Sequence, residues 1–473
     1  MADSAKKKYR IERDSMGEIQ VPEDACYGAQ TQRAVENFPI SGIKESPAFI
    51  TAYVLLKKAA AITNNKLGQL DDIKCRAIVG AADEILAGNY FEQFVVDVFQ
   101  AGAGTSFNMN TNEVIANLAV EKLGRARGDR YVHPNDHVNM AQSTNDSFPT
   151  AMRIAARMEL DKLLPVLDDL AGAFRKKGRE FDGIIKSGRT HLQDAVPVRL
   201  GQEFSAYAAA LEKARSKIAE SAVSVEELGI GGSAAGTGLN THPDYQELIV
   251  SEISRLTGIS FHAAADMREA MQSQMPVAHV SGALKMLALE LTRIANDLRL
   301  LSSGPTTGIG EIVLPPVQPG SSIMPGKVNP VMAEMLNMVS FQVIGNDTAV
   351  SMAVQAGQME LNVMMPVMIF NLLMSIQILT NALKVFRVKC IEGITANAER
   401  AKNYMERSVG LATIMNVFIG YDKAAELAKE SVRTGRPIPE LILEKKLLTE
   451  DQLKEILDPG TITEPGIPGK RKG

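Results

Sequence analysis

The strongest constraint on the fold is a helical spacing of apolar residues in the middle of the chain. Between Ser281 and Ser303 the apolar side chains recur every three or four residues, at Leu284, Leu287, Leu291, Ile294, Leu298 and Leu301. This spacing places them on one face of a helix. Similar patterns run through residues 151–177, 201–228 and 339–388. The sequence therefore predicts an all-α fold built on a long central helical bundle.

The composition agrees with packed helices. Tryptophan is absent and aromatic residues make up 5% of the 473 residues, whereas methionine, alanine and leucine are plentiful. Runs typical of strands are short, and residues 9–12 are one candidate. The net charge of −4 gives no reason to expect nucleic acid or an anionic membrane as a partner. Three scattered cysteines are too few for a disulfide framework, which favours a reducing, cytoplasmic location.

One long apolar segment resembles a membrane span. Residues 361–383 carry no charge, but they include Asn362, Pro366 and Asn371, which hydrocarbon would penalise. A helix that is apolar on all sides is also what the middle of a large bundle requires. We therefore expect this segment to be buried in protein and expect no membrane as a partner.

Breaks in the helical pattern divide the chain into three predicted parts. Residues 1–143 are mixed, with short helices and turns; residues 144–395 hold the long helices; residues 396–473 form a small, charged, amphipathic helical domain. The first and third parts are thus the smaller N- and C-terminal domains of the predicted bundle.

The segment from Gly320 to Pro330, GSSIMPGKVNP, is the most distinctive loop in the sequence. Pro325 and Pro330 block a continuous helix, while Gly320 and Gly326 allow backbone angles closed to other residues. The two serines, the lysine and the asparagine are donors that suit a carboxylate or a phosphate. A phosphate-binding P-loop is excluded, because five residues separate the glycines and no hydroxyl follows the lysine. By composition alone an ordinary surface loop is the plain alternative.

Three further polar clusters interrupt the helices. The first, GAGTSFNMN from Gly102, is a glycine-rich turn that leads into a helix beginning near Met109; helix-start amides and Thr105 there can receive an anion. The second is QSTND, residues 142–146, and the third is SGRTHLQD, residues 187–194. Helix capping is the plain interpretation of the first two, and a structural histidine that of the third. The glycine-rich run at 229–238 follows a helical segment, so it lacks the context of a dinucleotide-binding turn.

Together with the loop from Gly320 to Pro330, these clusters resemble the separated sequence blocks of the fumarase/aspartase superfamily, in the family's order. The matching segments are GTSFNMNTNEV, HPNDHVN with QSTND, RTHLQDAVP and GSSIMPGKVNP. The resemblance extends over nearly the whole chain. It implies a mostly helical subunit assembled as a homotetramer, in which three subunits contribute to each site, and a small dicarboxylate as the substrate.

The resemblance also implies roles for individual residues. Family members remove a proton next to a carboxylate and expel a group from the neighbouring carbon, which leaves fumarate. The carboxylate beside the departing proton would be held by Thr190, Lys327 and Asn329. The other carboxylate would be held by Thr105, Ser143, Thr144 and Ser322. Fixed donors of this kind stabilise the enolate-like intermediate.

The base in this picture is Ser321, since backbone amides of the glycine-containing loop together with Lys327 would stabilise its anion. His191 would orient substrate or move protons near the leaving group, with Glu334 as its partner. A solvated glutamate in the first turn of a helix is the plain alternative for Glu334.

Two chemistries compete: ammonia elimination from L-aspartate and water elimination from malate. Ala103 and Thr144 resemble aspartases, because fumarases usually carry serine at both positions. Ala103 removes a donor to a hydroxyl leaving group, whereas Asn145 and Thr105 can still accept from an ammonium. The segments GIGGSAAGTGLNTHPDY, GIGE and GYDKAA lean instead towards fumarases. The residues of the site favour the aspartase reaction.

Thr306 and Met365 depart from the family pattern, where many members have arginine and aspartases often have glutamate, respectively. A catalytically retired homologue with a structural role is a further alternative, although every proposed donor and the base are intact. No metal or other cofactor is expected, since no cluster of histidines and carboxylates has ligand spacing. Activation by a divalent cation at a separate site stays open.

Overall fold

A computed structural model describes residues 8–467, which are mostly helical. Up to the middle of the chain the helices are α1 (Ala29–Asn37), α2 (Pro47–Lys66), α3 (Asp72–Leu86), α4 (Thr105–Lys122), α5 (Thr144–Glu180), α6 (Leu200–Val223), α7 (Tyr245–Thr257) and α8 (Met267–Gln272). The later helices are α9 (Met275–Leu301), α10 (Val331–Val354), α11 (Met365–Lys389), α12 (Ala398–Arg407), α13 (Leu411–Ile419), α14 (Tyr421–Thr434), α15 (Ile438–Glu444), α16 (Glu450–Ile456) and α17 (Pro459–Ile462).

The strands form small two-stranded sheets. They are β1 (Tyr9–Asp14), β2 (Gly17–Pro22), β3 (Ile185–Thr190), β4 (Gln193–Arg199), β5 (Glu227–Leu228), β6 (His262–Ala263), β7 (Ile312–Val313) and β8 (Thr395–Ala396). The pairs β1–β2, β3–β4 and β7–β8 are antiparallel, whereas β5–β6 is parallel. Strand β1 contains the predicted strand at residues 9–12.

The chain separates into two compact units. The first unit comprises the residues up to Leu164, Ser216–Ala288 and Phe341–Thr380. The second comprises Pro165–Arg215, Leu289–Ser340 and the residues from Asn381 onward. The boundaries of these units fall inside the long helices, because the units group residues that lie close in space. The predicted division at 143 and 395 follows breaks in the helical pattern along the sequence, and it stays a prediction.

The predicted apolar stripe of α9 is buried. Leu284, Leu287, Leu291, Ile294, Leu298 and Leu301 are all at most 7% exposed. Polar contacts also join the long helices side by side. In the first unit Ser281 of α9 donates to Asp347 of α10, and Asn346 of α10 donates to Ser375 of α11. In the second unit Tyr207 of α6 donates to Asp297 of α9. These contacts agree with the predicted long-helix bundle.

The helical pattern predicted over residues 339–388 is interrupted. The chain leaves α10 after Val354 and starts α11 at Met365. Asn362 connects the end of α10 to the start of α11. Its Nδ2 donates to the carbonyls of Ala353 and Val354 at 3.1 and 3.0 Å. Its Oδ1 accepts from the amide of Met364 at 2.9 Å. One amide side chain thus ends the first helix and begins the next, which periodicity alone does not reveal.

Helix α11 is the only helix in residues 8–467 that is long and apolar enough to cross a membrane. Of its most apolar stretch, 67% is buried inside the protein. This burial agrees with the expectation of a core helix. The cytoplasmic location stays a prediction.

The C-terminal residues of the second unit form a small helical core. Its fully buried members include Met415, Ile438, Leu441 and Ile442. Close to it, Gly410 lies against the β3–β4 hairpin, where an added Cβ would stand 2.1 Å from the carbonyl oxygen of Ala195. This contact holds the hairpin that carries Thr190 and His191.

Candidate active site

Thr105 is the first residue of α4, four residues before the predicted start near Met109, so that expectation was wrong. The turn before it is tight. Gly104 has φ 82°, and a Cβ there would stand 2.0 Å from the ring of Phe148. The side chain of Gln100 accepts from the amide of Phe107 at 2.8 Å and so caps the helix. This long-range cap explains the early start and leaves Thr105 exposed at a helix N-terminus.

Ser143 and Asp146 cap the start of α5. Ser143 Oγ accepts from the amide of Asn145 at 3.2 Å, and the amide of Ser143 donates to Asp146 Oδ1 at 2.9 Å. The plain capping interpretation of this cluster is therefore correct as far as it goes. Contact of Ser143 with substrate stays a prediction.

The second oxygen of Asp146 is held by the glycine-rich run at 229–238. The amides of Gly231 and Ser233 donate to Asp146 Oδ2 at 3.0 and 2.9 Å. Asn145 Nδ2 donates to the carbonyl of Ala234 at 2.9 Å. The run directly follows strand β5, so the expectation that it follows a helical segment was wrong. It forms a cradle for a buried carboxylate. Burial raises the pKa of Asp146 to about 6.

Sequence reasoning missed Lys57, a fully buried lysine of α2. Its Nζ donates to Asn108 Oδ1 at 2.8 Å, to Asn139 Oδ1 at 2.8 Å and to Gln142 Oε1 at 2.9 Å. Burial lowers the pKa of Lys57 to about 7. The available signal was a lysine on the same helical face as Tyr53, within an otherwise apolar stretch.

Asn108 connects this lysine to a predicted substrate-binding residue. Its Nδ2 donates to Thr144 Oγ1 at 3.0 Å. Thr105 lies one turn before Asn108 on α4, so the two share a face of the helix. The first unit therefore brings Thr144 and Asn108 together, and α4 carries Thr105 next to them.

In the second unit Thr190 and His191 lie at the tip of the β3–β4 hairpin. Thr190 pairs with Gln193, so His191 and Leu192 form a two-residue turn with φ 56° and 58°. Both tip residues are exposed, and Leu192 is 69% exposed. Positive φ at residues other than glycine costs free energy and is concentrated at functional sites. This geometry presents His191 at the outermost point of the hairpin.

The loop from Gly320 to Pro330, called the signature loop below, is closed at its base. The amide of Gly320 donates to the carbonyl of Lys327 at 2.8 Å, and Asn329 Nδ2 donates to the carbonyl of Gly320 at 2.7 Å. Gly326 has φ 80°, as expected of a glycine in such a turn. Gly320 is required for a different reason from the predicted one: a Cβ there would stand 2.4 Å from the carbonyl oxygen of Lys327.

Within this loop two amides point at Ser321. Its Oγ accepts from the amides of Ile323 and Met324 at 3.2 and 3.0 Å. Donors in this position stabilise a negative charge on the oxygen. Lys327 and Ser322 are exposed, and the ammonium of Lys327 has no hydrogen-bond or ion-pair partner within residues 8–467.

Glu334 lies in the first turn of α10 and is half-buried. No hydrogen bond or ion pair joins it to His191 in the part of the chain that the structure describes. Their partnership stays a prediction, since the resemblance expects sites built from several subunits.

The proposed site residues divide between the two units. The first unit carries Thr105, Ser143, Thr144 and Asn145, and the second carries Thr190, His191, Ser321, Ser322, Lys327, Asn329 and Glu334. Among residues 8–467, no group of three or more His, Cys, Asp or Glu side chains has the arrangement of a metal site.

Comparison with known proteins defines the class of protein. A family model described as lyase matches residues 17–345, and one described as fumarase C C-terminus matches residues 411–464. The chain belongs to the fumarase/aspartase superfamily of lyases. It is 49% identical to the aspartate ammonia-lyase of Bacillus subtilis, over 99% of this chain and 98% of that protein.

Two other relatives widen the comparison. The class II fumarate hydratase of Halobacterium salinarum is 51% identical over 97% of this chain and 98% of its own length. The crystal structure of a fumarate lyase:delta crystallin from Brucella melitensis bound to cobalt is 48% identical, with a TM-score of 0.93. That match covers 97% of this chain and 100% of the other. Overall identity therefore does not separate the two reactions, and the residues of the site carry more weight.

Proposed function

We propose that this lyase is an aspartate ammonia-lyase, which reversibly eliminates ammonia from L-aspartate to give fumarate. The observation that carries the proposal is Ala103, a buried residue two positions before Thr105 with φ 62°. Its amide donates to the carbonyl of Val363 at 2.7 Å, which fixes the turn. Where fumarases usually have a serine hydroxyl, this chain has a methyl group. A hydroxyl or water leaving group would lose a donor there, whereas an ammonium needs acceptors.

The proton at the carbon next to one carboxylate is removed by Ser321. A serine hydroxyl is a weak base unless its anion is stabilised, and the amides of Ile323 and Met324 supply two donors to its oxygen. The unpaired ammonium of Lys327 adds positive charge to the same loop. These donors support the assignment of Ser321 as the base.

Loss of the proton leaves an enolate-like dianion, whose charge must be stabilised by donors on the carboxylates. Thr190, Lys327 and Asn329 hold the carboxylate beside the departing proton. Thr105, Ser143, Thr144 and Ser322 hold the other one. Exposure of Thr190, Ser322 and Lys327 in the isolated chain supports a site that a neighbouring subunit completes.

The leaving amine departs near His191, which orients the substrate or moves protons there. Glu334 is the partner of His191. Asn145 and Thr105 accept hydrogen bonds from the ammonium. His191 lies at an exposed hairpin tip with a constrained backbone, which supports a role in a site completed by another chain.

The assembly that completes the site is a homotetramer in which three subunits contribute to each site. Exposed apolar side chains on two of the long helices support it, since a water-exposed surface seldom carries so many. They include Met286, Leu289, Met338, Phe341 and Met352. A cytoplasmic location is part of the same proposal.

The second candidate is class II fumarate hydratase, which interconverts malate and fumarate with water. The 51% identity to the Halobacterium salinarum enzyme favours it. A catalytically retired structural homologue is the third candidate. It is disfavoured because Ser321, Lys327 and the remaining donors are all present.

The loss of fumarate ultraviolet absorbance separates these candidates. Purified protein is mixed with fumarate, with and without ammonium, and the product is identified. Consumption that requires ammonium and yields aspartate supports the proposal. Consumption without ammonium, yielding malate, identifies a fumarase. No consumption in either mixture points to another amine or substrate, or to the retired homologue.

A further inference from the structure

Lys57 is held in an unusual environment for a buried cation. It is 0% exposed, and its three hydrogen bonds all go to side-chain amide oxygens, those of Asn108, Asn139 and Gln142. In the described part of the chain no carboxylate lies within ion-pair distance of its ammonium. A buried lysine in a structural role is ordinarily paired with a carboxylate, as Lys186 is with Glu311 in the second unit.

This environment determines which way the Asn108 amide faces. An ammonium is a donor only, so the atom of Asn108 that it contacts must be the oxygen. The hydroxyl of Tyr53 donates to the same oxygen at 3.1 Å. The amide nitrogen of Asn108 is thereby turned towards Thr144 Oγ1, at 3.0 Å.

The orientation of Asn108 in turn determines what the hydroxyl of Thr144 can do. Its oxygen accepts from Asn108, and a hydroxyl has a single hydrogen. Within residues 8–467 Thr144 Oγ1 makes no other hydrogen bond, so its hydrogen is available to an external acceptor. Thr144 is one of the residues proposed to hold a substrate carboxylate, which is an acceptor only.

We propose that Lys57 is a positioning residue for the dicarboxylate substrate, acting through Asn108 to keep Thr144 as a hydrogen-bond donor to a substrate carboxylate. The inference rests on the proposed function in two respects: the substrate is a dicarboxylate, and Thr144 contacts one of its carboxylates. Without the ammonium, the Asn108 amide can rotate and present its oxygen to Thr144. The hydroxyl would then donate to Asn108, and the substrate would lose a donor.

The test is a double-mutant cycle on binding of the unreactive dicarboxylate succinate. The variants are Lys57→Met, Thr144→Val and the double variant, with Lys58→Met as the matched control. Lys58 is the next residue on α2 and is paired with Asp83 near the surface. Calorimetric titration gives the dissociation constants, and fumarate consumption is measured in parallel.

Each single variant is expected to weaken succinate binding about tenfold, the effect of one hydrogen bond to a charged group. The double variant is expected to bind about as well as either single variant, because both changes remove the same interaction. Additive losses, or unchanged binding by Lys57→Met, overturn the inference, since a lysine with only a structural role would not act through Thr144.

If Lys57→Met does not fold, Asn108→Leu takes its place in the cycle, with Gln142→Leu as its control. Gln142 also accepts from Lys57, but it makes no hydrogen bond to Asn108 or Thr144 within residues 8–467. Coupling of Asn108 to Thr144, without an effect of Gln142→Leu, supports the inference; equal effects of the two substitutions overturn it.

The inference and the proposed function fail in different ways. Ammonium-dependent fumarate consumption with an additive cycle leaves the function standing and removes Lys57 from it. A coupled cycle without fumarate consumption supports the role of Lys57 in dicarboxylate binding and overturns the proposed reaction. Wild-type protein that binds neither succinate nor fumarate overturns both.

Discussion

Arg189, which lies two residues before His191 in the β3–β4 hairpin, forms a bidentate ion pair with Glu311. The two guanidinium nitrogens lie 3.1 and 3.0 Å from the two carboxylate oxygens, and the Glu311 side chain is 0% exposed. Lys186 Nζ contacts the same carboxylate at 3.1 Å. Glu311 also directly precedes β7, on the segment that leads to the signature loop. One buried carboxylate therefore ties together two chain segments that carry proposed site residues.

Replacing Glu311 with Gln is expected to destabilise the protein. It leaves the half-buried Arg189 without its carboxylate and Lys186 with that of Glu203 alone, and breaking a buried ion pair costs about 3–5 kcal/mol. Urea denaturation measures the loss in the free energy of unfolding. The control is Asp168→Asn, which removes an exposed pair with Arg215 and should cost about 1 kcal/mol or less. Equal effects of the two substitutions would show that the Glu311 pair is not a structural tie.

Replacing Ser321 with Ala is expected to lower kcat for fumarate consumption by about 10²–10⁴-fold, because it removes the proposed base. The melting temperature should hardly change, since the loop is largely exposed and water can satisfy the two freed amides. Steady-state kinetics and a thermal melt check the two halves of this prediction. Val328→Ala, in the same loop, is the control and should keep its activity. Full turnover by the alanine variant would remove Ser321 from the role of base.

Replacing Ala103 with Ser tests the residue on which the proposed specificity rests. The added hydroxyl is expected to raise the rate of fumarate hydration relative to amination, because it restores a donor for a water leaving group. The ratio of malate to aspartate formed from fumarate and ammonium is the measurement. Ala101→Ser, on the same turn, provides the comparison. An unchanged ratio would separate Ala103 from the choice of leaving group.

Replacing Gly104 with Ala is expected to lower the free energy of unfolding by more than the strain of the positive φ alone. The new Cβ would stand 2.0 Å from the Phe148 ring, which adds about 1–3 kcal/mol of overpacking. Gly68→Ala isolates the backbone term, since Gly68 has φ 70° and nothing within 4 Å of an added Cβ. That control should cost about 1–2 kcal/mol. Chemical denaturation of both variants gives the difference, and equal costs would contradict the steric argument.

Glu45 is expected to make stability depend on pH. Burial, together with the charge of Asp97, raises the pKa of Glu45 from 4.5 to about 8. The folded state therefore binds the proton more tightly than the unfolded chain. The contribution of Glu45 to stability is complete below its pKa in the unfolded chain. It is lost as the pH rises through its pKa in the folded state.

The Glu45→Gln variant should remove this contribution. Urea denaturation gives the free energy of unfolding of the variant and of wild type at about pH 5 and at about pH 8.5. Between these two pH values, the variant's stability relative to wild type should rise by a few kcal/mol. Exposed Glu18→Gln serves as the control and should show no such gain. A difference between Glu45→Gln and wild type that is the same at both pH values would contradict the titration of Glu45 in this range.

Much of the fold was predictable because helical periodicity is a local signal. The stripe from Leu284 to Leu301 is buried as predicted, and the strand at residues 9–12 is present. The start of α4 was not predictable, because Gln100 caps the helix through a side chain seven residues from Phe107. The break between α10 and α11 also depends on one amide that bonds back to the preceding helix.

The sequence by itself determined the class of fold, the family and the candidate donors, because these depend on spacing along the chain and on motifs of adjacent residues. Only the tertiary structure decided how those donors are supported. Lys57, Asn108 and Thr144 are far apart in sequence and meet only where α2, α4 and α5 pack. The physical reason is that a buried ammonium can be satisfied only by acceptors brought to it by folding, and such partners leave no periodic signal in the sequence.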